Sequence, residues 1–284
     1  MKKLFLSAGL VCLLFACSNK VQQENIITVT IEPQRFFTKQ LADSFFRIET
    51  MVPVGTSPET YDPTPVQMAN LARSKAYFCI GHIGFEEAWI EKLKQNYPQT
   101  PFFDNSKGVS FIEFGHYHDD HFHSEGKDPH IWSSPKAVRT IVKNMCAALT
   151  EIDPENKDFY AANLQKLLEQ INTVDEKITQ ILQNSSQKAF IIYHPTLSYF
   201  ARDYGLTQYP IEYHGKEPSP ELLKSMIDTA KELGIKTIFI QQEFDKKNAE
   251  TIAKELGCSP IEINPLSYDW EEEMLKIAGA LSNE

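Results

Sequence analysis

Short apolar runs alternate with amphipathic stretches along most of the 284 residues. Residues 26–31 and 47–52 read as strands with a helical stretch over 34–44 between them, and the apolar run 76–80 reads as a third strand. Helices over 65–73 and 86–95 supply the connections. After Pro135 the period turns helical over 136–151, and Asp153-Pro154 marks a fresh start, with an acid at the cap and proline at the first helical position. Leu164, Leu167, Leu168, Ile171, Val174, Ile178, Ile181 and Leu182 then recur every three or four residues, without Gly or Pro until about Asn184. That is roughly 30 residues, or about 45 Å of helix, enough to pass between two lobes. The alternation resumes with a strand over 189–193 and a helix opened by Ser219-Pro220, with Leu222, Leu223, Met226, Ile227 and Leu233 on one side. A strand over 237–240, a helix over 247–256, a strand over 260–263 and a helix over 270–281 complete the chain. The pattern predicts an α/β fold: a lobe over 26–151, a linking helix over 152–186 and a lobe over 187–284, with mostly parallel sheets. In such sheets ligands sit beyond the carboxyl ends of the strands, which here means a cleft between the lobes.

The first residues set the compartment. Met1-Lys2-Lys3 is a short basic region, and residues 4–15 form an apolar core too short to span a bilayer comfortably, so residues 1–16 read as a secretory signal. The signal ends in Leu14-Phe15-Ala16-Cys17, which resembles the bacterial lipobox; a plain signal peptide cleaved nearby is the alternative. Removing 16 of the 284 residues leaves 268, hung from a membrane by acyl chains on Cys17 through a tether over 17–25. The expected location is the cell envelope, facing the periplasm or the cell exterior.

With Cys12 lost in the signal and Cys17 taken up by lipid, three cysteines remain. Cys79 and Cys146 lie in apolar surroundings and read as core residues, Cys258 makes the number odd, and no CxxC pair exists, so a disulfide framework is not expected. The formal charge of −10 becomes −12 once Lys2 and Lys3 leave, which argues against nucleic acid as a partner.

Candidate chemistry clusters on histidine. His116, His118, His121 and His123 surround Asp119 and Asp120 in one acidic stretch, with Gly115 before it and Gly126 after it. Imidazoles beside carboxylates suit a transition metal, and the flanking glycines predict a mobile loop over 115–126 that gathers ions at low affinity. A solvated polar loop is the bland reading. Three further donors come from separate segments. Glu59 follows a strand through the turn 52–58, His130 stands between the histidine loop and the helix after Pro135, and His194 leaves the end of the strand 189–193. A lone strand-end histidine is more often a structural hydrogen bonder, but these three could converge in the cleft.

Four motifs in order give a family resemblance: Gly55-x-x-Pro58-x-x-Tyr61-x-Pro63-Thr64-Pro65, then Asp128-Pro129-His130-Ile131-Trp132, then Tyr193-His194-Pro195 with residues 199–206, and Gly215-Lys216-Glu217-Pro218-Ser219-Pro220. Over nearly the whole mature chain the sequence resembles the high-affinity zinc-uptake solute-binding proteins of bacterial ABC transporters. The resemblance implies a rigid backbone helix joining two lobes, one divalent ion in the cleft, and delivery to a permease with its ATPase by a monomer. Manganese-binding relatives tend to place a carboxylate where His194 stands, and zinc-binding ones often carry a histidine-rich acidic loop.

This chain departs from the family twice. Glu59 stands where the family usually has histidine, and Asn264 where some relatives contribute an aspartate. The expected metal set is Glu59, His130 and His194 holding Zn²⁺, with Mn²⁺ or Fe²⁺ less excluded because a carboxylate hardens the site. His82, Glu217 and Asn264 are further candidates as additional ligands or supports, Glu217 as an acceptor for a ligating imidazole, and His214 is a weaker one. A zinc hydrolase is the rival class, but the sequence contains no HExxH helix, nucleophile elbow or P-loop. A surface adhesin is the third reading, and no exposed apolar recognition segment supports it.

Overall fold

A computed structural model of the protein describes residues 23–118, 121–212 and 218–282, those over 115–125 by their backbone alone. The signal segment, Cys17, Asp119, Asp120, His214 and Glu217 lie outside the described residues.

The first lobe contains β1 (Ile26–Val29), α1 (Glu32–Ala42), β2 (Arg47–Thr50), α2 (Pro65–Arg73), β3 (Ala76–Cys79), α3 (Gly84–Asn96) and β4 (Phe102–Asp104). A hairpin of β5 (Glu113–His118) and β6 (His121–Lys127) follows, then α4 (Pro135–Ile152). The long helix is α5 (Lys157–Gln183). The second lobe contains β7 (Ala189–Ile192), α6 (Ser198–Tyr204), β8 (Thr207–Pro210), α7 (Pro220–Leu233), β9 (Ile238–Gln241), α8 (Lys247–Leu256), β10 (Ile261–Ile263) and α9 (Trp270–Ser282).

Both sheets are four-stranded and parallel, in the orders β2-β1-β3-β4 and β8-β7-β9-β10. The two lobes therefore repeat one topology, each with its order reversing around a central strand, and a crevice opens at such a reversal. Helices cover both faces of the central strands, so even Thr28 in β1 is buried, its hydroxyl bonded to that of Ser74. In β1 and β3 all four residues are buried.

Helix α5 carries Tyr160, Leu167, Ile171, Val174, Ile178 and Leu182 as one buried stripe. It packs on α1 and α4 of the first lobe and on α9 of the second, so one core runs continuously from Ile27 and Phe78 to Phe190 and Phe239. Two indoles stitch the seam: Trp132 Nε1 donates to Pro265 O at 2.9 Å, and Trp270 Nε1 donates to Trp132 O at 2.7 Å. Helix starts follow the caps in the sequence. The Ser134 hydroxyl accepts from Ala137 N with Pro135 at the first helical position, and Thr64 does the same ahead of Pro65.

Several expectations change. The histidine-rich stretch read as a loop pairs as an antiparallel hairpin, with His116 opposite His123 and His118 opposite His121. The long helix begins three residues later than Pro154, which instead opens a 3₁₀ turn over Pro154–Asn156. Strands β4 and β8 and helix α6 were not read from the sequence at all. Cys79 and Cys146 are buried free thiols and Cys258 is half-buried. No helix among the described residues is long and apolar enough to cross a membrane.

Candidate metal centre

Glu59, His130 and His194 meet between the lobes, each offering one ligand atom, with those atoms all within 4.8 Å of one another. Glu59 lies in the turn between β2 and α2, His130 just ahead of the 3₁₀ turn Ile131–Ser133, and His194 two residues beyond β7, the strand at which the second sheet reverses. The imidazole centroids are 5.1 Å apart at 78°.

Each histidine is fixed through its other nitrogen. His130 Nδ1 lies 2.9 Å from Asp128 Oδ1, which also accepts the His130 backbone N–H at 2.8 Å. His194 Nδ1 lies 3.3 Å from Glu212 Oε1. Carboxylates on the outer nitrogens leave both Nε2 atoms facing the cleft. Burial works to lower the pKa of His130, but the Asp128 carboxylate beside it outweighs that, and the charges of Glu59 and Glu212 add to the rise. Burial likewise opposes the charge of Asp128, and the partner imidazole reverses the balance, so its carboxyl lies below its usual range.

Around this trio the cavity is lined by Ser57, Trp132, Thr196, Gln241, Glu243 and Phe244 among others, and its volume is about 20 Å³. That is room for about one water-sized body. The Phe244 ring stacks on His194 at 5.2 Å, and Trp132 meets His130 edge-on at 5.3 Å. Glu59 Oε1 and His194 Nε2 are buried and have no hydrogen-bond partner among the described residues. Leaving such atoms unsatisfied is costly, and a cation bound between them would satisfy both. One carboxylate oxygen and two imidazole nitrogens are a donor set that zinc accepts.

The other sequence candidates fall elsewhere. His82 sits at φ +58° with its ring edge on Phe111 at 4.8 Å and its Nδ1 3.8 Å from Glu87, and it does not line the cavity. The Asn264 side chain accepts the Leu266 N–H at 3.2 Å and borders a neighbouring crevice instead. The supports that sequence reasoning missed are Asp128 and Glu212. Asp128 was legible as an acid two residues before a candidate ligand. Glu212 was not, because its place depends on strand pairing. Ile192 pairs with Pro210, so two residues further along His194 comes level with Glu212.

The sequence profile of the family described as "Zinc-uptake complex component A periplasmic" matches residues 27–279. The "High-affinity zinc uptake system protein ZnuA" of Bacillus subtilis (strain 168) is 29% identical over 295 residues, covering 97% of this chain and 92% of that protein. The "Zinc-binding lipoprotein AdcA" of Streptococcus pneumoniae is 28% identical over 294 residues, 96% of this chain but only 57% of AdcA. Among solved structures, the crystal structure of ZnuA is similar with a TM-score of 0.85 and 38% identity, over 91% of this chain and 98% of that one. A zinc-bound ZnuA deletion mutant gives 0.83 and 39% over the same shares. With the profile spanning nearly all of both lobes and the long helix between them, the chain belongs to the family of zinc-uptake complex component A.

Proposed function

We propose that this protein captures zinc outside the cytoplasm and delivers it to an ABC permease driven by its ATPase, with Glu59, His130 and His194 as the ligands. The observation that carries the reading is the pair of buried ligand atoms on Glu59 and His194 that lack a hydrogen-bond partner, facing His130 within 4.8 Å. A cation there would be satisfied by protein atoms that nothing else satisfies. Asp128 and Glu212 hold the imidazoles in the tautomer that binds metal, so capture requires little reorganisation of the site.

The cavity size supports binding over hydrolysis, since about 20 Å³ admits an ion but not a peptide or ester beside it. The lipobox-like Leu14-Phe15-Ala16-Cys17 supports a lipid anchor at Cys17, with the two lobes acting as a tethered monomer at the cell envelope. His116, His118, His121 and His123, with Asp119 and Asp120, form a lower-affinity collecting segment. Zinc, manganese and iron(II) titrations of purified protein, read by calorimetry and metal analysis, test this reading. One tightly bound zinc per chain is expected, lost in His194→Ala. Absence of stoichiometric zinc, or tight binding that survives in His194→Ala, would sink it.

A further inference from the structure

The Glu59 carboxylate is gripped by the first turn of a helix. Its Oε2 accepts the Gly84 N–H at 3.1 Å, and Gly84 is the first residue of α3, where unpaired amides carry partial positive charge. The two backbones press together here. A Cβ on Gly84 would lie 2.3 Å from the Glu59 carbonyl oxygen and 2.9 Å from Glu59 Cα and Oε2, distances that real Cβ atoms essentially never show. The Phe85 N–H also donates to Pro58 O at 2.8 Å, tying the residue before the ligand to the same turn.

That turn is anchored in turn by Glu86. Its buried carboxylate accepts the Ile80 N–H at 2.8 Å, the Gly81 N–H at 2.7 Å and the Thr30 hydroxyl. Rotating Oε2 of Glu59 toward the histidines would therefore strand the Gly84 amide on a turn that cannot follow it. Oε1 is the oxygen presented to the cleft, buried, without a hydrogen-bond partner and 3.8 Å from His130 Nε2.

We propose that Gly84 is a specificity-determining residue: its N–H and its bare backbone restrict Glu59 to one outward oxygen, so the site selects zinc over manganese(II). The inference rests on Glu59, His130 and His194 being the ligands. Zinc is content with four ligands that include nitrogen, whereas manganese(II) is suited by a six-coordinate shell dominated by oxygen. A carboxylate free to chelate with both oxygens would move the site toward the second kind. Replacing the family's histidine with Glu59 hardens one donor, and the α3 turn withholds the second oxygen that would complete the change.

Cobalt(II) bound to the full-length protein reports coordination number directly by visible absorption, since four-coordinate cobalt absorbs far more strongly than six-coordinate. A four-coordinate spectrum is expected for the wild type, with manganese displacing it poorly. In Gly84→Ala the added methyl displaces Glu59, and zinc affinity should fall by about 10- to 100-fold, the range for a lost outer partner. The zinc-over-manganese ratio should narrow by about tenfold or more in the same variant. In Glu59→Gln a single oxygen must serve either the ion or the amide, so zinc affinity should fall over the same range even if Gly84→Ala does not fold. A six-coordinate cobalt spectrum in the wild type, or an unchanged zinc-over-manganese ratio in folded Gly84→Ala, would overturn the inference while leaving the ligand set standing. Zinc affinity unchanged in Glu59→Ala would overturn the ligand set itself.

Discussion

His130 and His194 face one another from the two sides of the cleft, yet the regions that hold them are built differently. His130 is almost fully enclosed, with 5% of its side chain exposed, and Asp128 is wholly buried beneath it. Tyr199 of the second lobe reaches across to donate to Asp128 O at 2.6 Å and to accept the Ile112 N–H at 3.0 Å. Two residues after His130 comes Trp132, in the stitched seam. His194, by contrast, is 14% exposed, its Glu212 contact is longer at 3.3 Å, and its ring is covered by Phe244 from the turn between β9 and α8. One imidazole is part of the core and the other is part of the rim. The difference suggests a fixed half that defines the site and a more open half through which the ion arrives and leaves.

The sharpest break in that comparison comes from removing each imidazole. Both His130→Ala and His194→Ala should reduce zinc affinity by well over about 100-fold, beyond the loss expected for an outer partner. Only His130→Ala should also unfold the protein more easily, by about 3–5 kcal/mol in denaturant titration, because it strands the buried Asp128 charge. Equal stability losses in the two variants would show that the halves do not differ as described. Next in size are the supports. Asp128→Asn should weaken zinc binding toward the 100-fold end of the range for outer partners, and Glu212→Gln toward the 10-fold end; competition titration with a chromophoric chelator measures both.

Acidity discriminates more gently. Because its neighbours raise the His130 pKa above the ordinary 6.5, protons begin to compete with zinc for His130 at a higher pH than for an unperturbed histidine. Zinc affinity should therefore fall as pH drops from about 8 toward 6, with protons released on binding. The sign for stability is opposite in the metal-free protein. The His130 contribution is present below the unfolded value and is lost as pH rises through the raised one. NMR titration of the metal-free protein checks the order, with His130 expected to hold its proton. The smallest effect is expected for Tyr199→Phe, which removes the bridge to Asp128 O at a cost of about 1 kcal/mol in stability. Affinity should change by only a few-fold, a result that a rim-side residue could not produce through Asp128.

Much of this arrangement could be read from the chain. The buried strands Ile26–Val29, Ala76–Cys79 and Ala189–Ile192 are long enough and apolar enough to stand out, and the α5 stripe has no competing period. Of the four edge strands, β2 and β10 are legible and β4 and β8 are not. Phe102–Asp104 has three residues and Thr207–Pro210 ends in proline, which cannot donate to a ladder, so neither carries a strand signal of its own. The three site residues could be read because each leaves an identifiable element and each lies in or beside a motif. Glu212 and the Gly84 amide could not, since one depends on the β7–β8 register and the other on two loops 25 residues apart pressing together. The histidine stretch pairs as a hairpin where a loop is expected. Glycines at 115 and 126 signal a break in regular structure, whereas the backbone pairs between them as a hairpin.

The indole seam has a practical consequence. Of the chain's three tryptophans, Trp132 and Trp270 are buried against each other, and the Trp132 ring lies within van der Waals reach of the His130 edge, while Trp89 is half-buried on α3 of the first lobe. One of these fluorophores, Trp132, thus lines the cavity itself, with Trp270 bonded to its carbonyl and Trp89 bonded to Asp62 in the loop that carries Glu59. Emission from Trp132 should change when an ion enters, giving a label-free gauge of loading and of hand-over to the transporter.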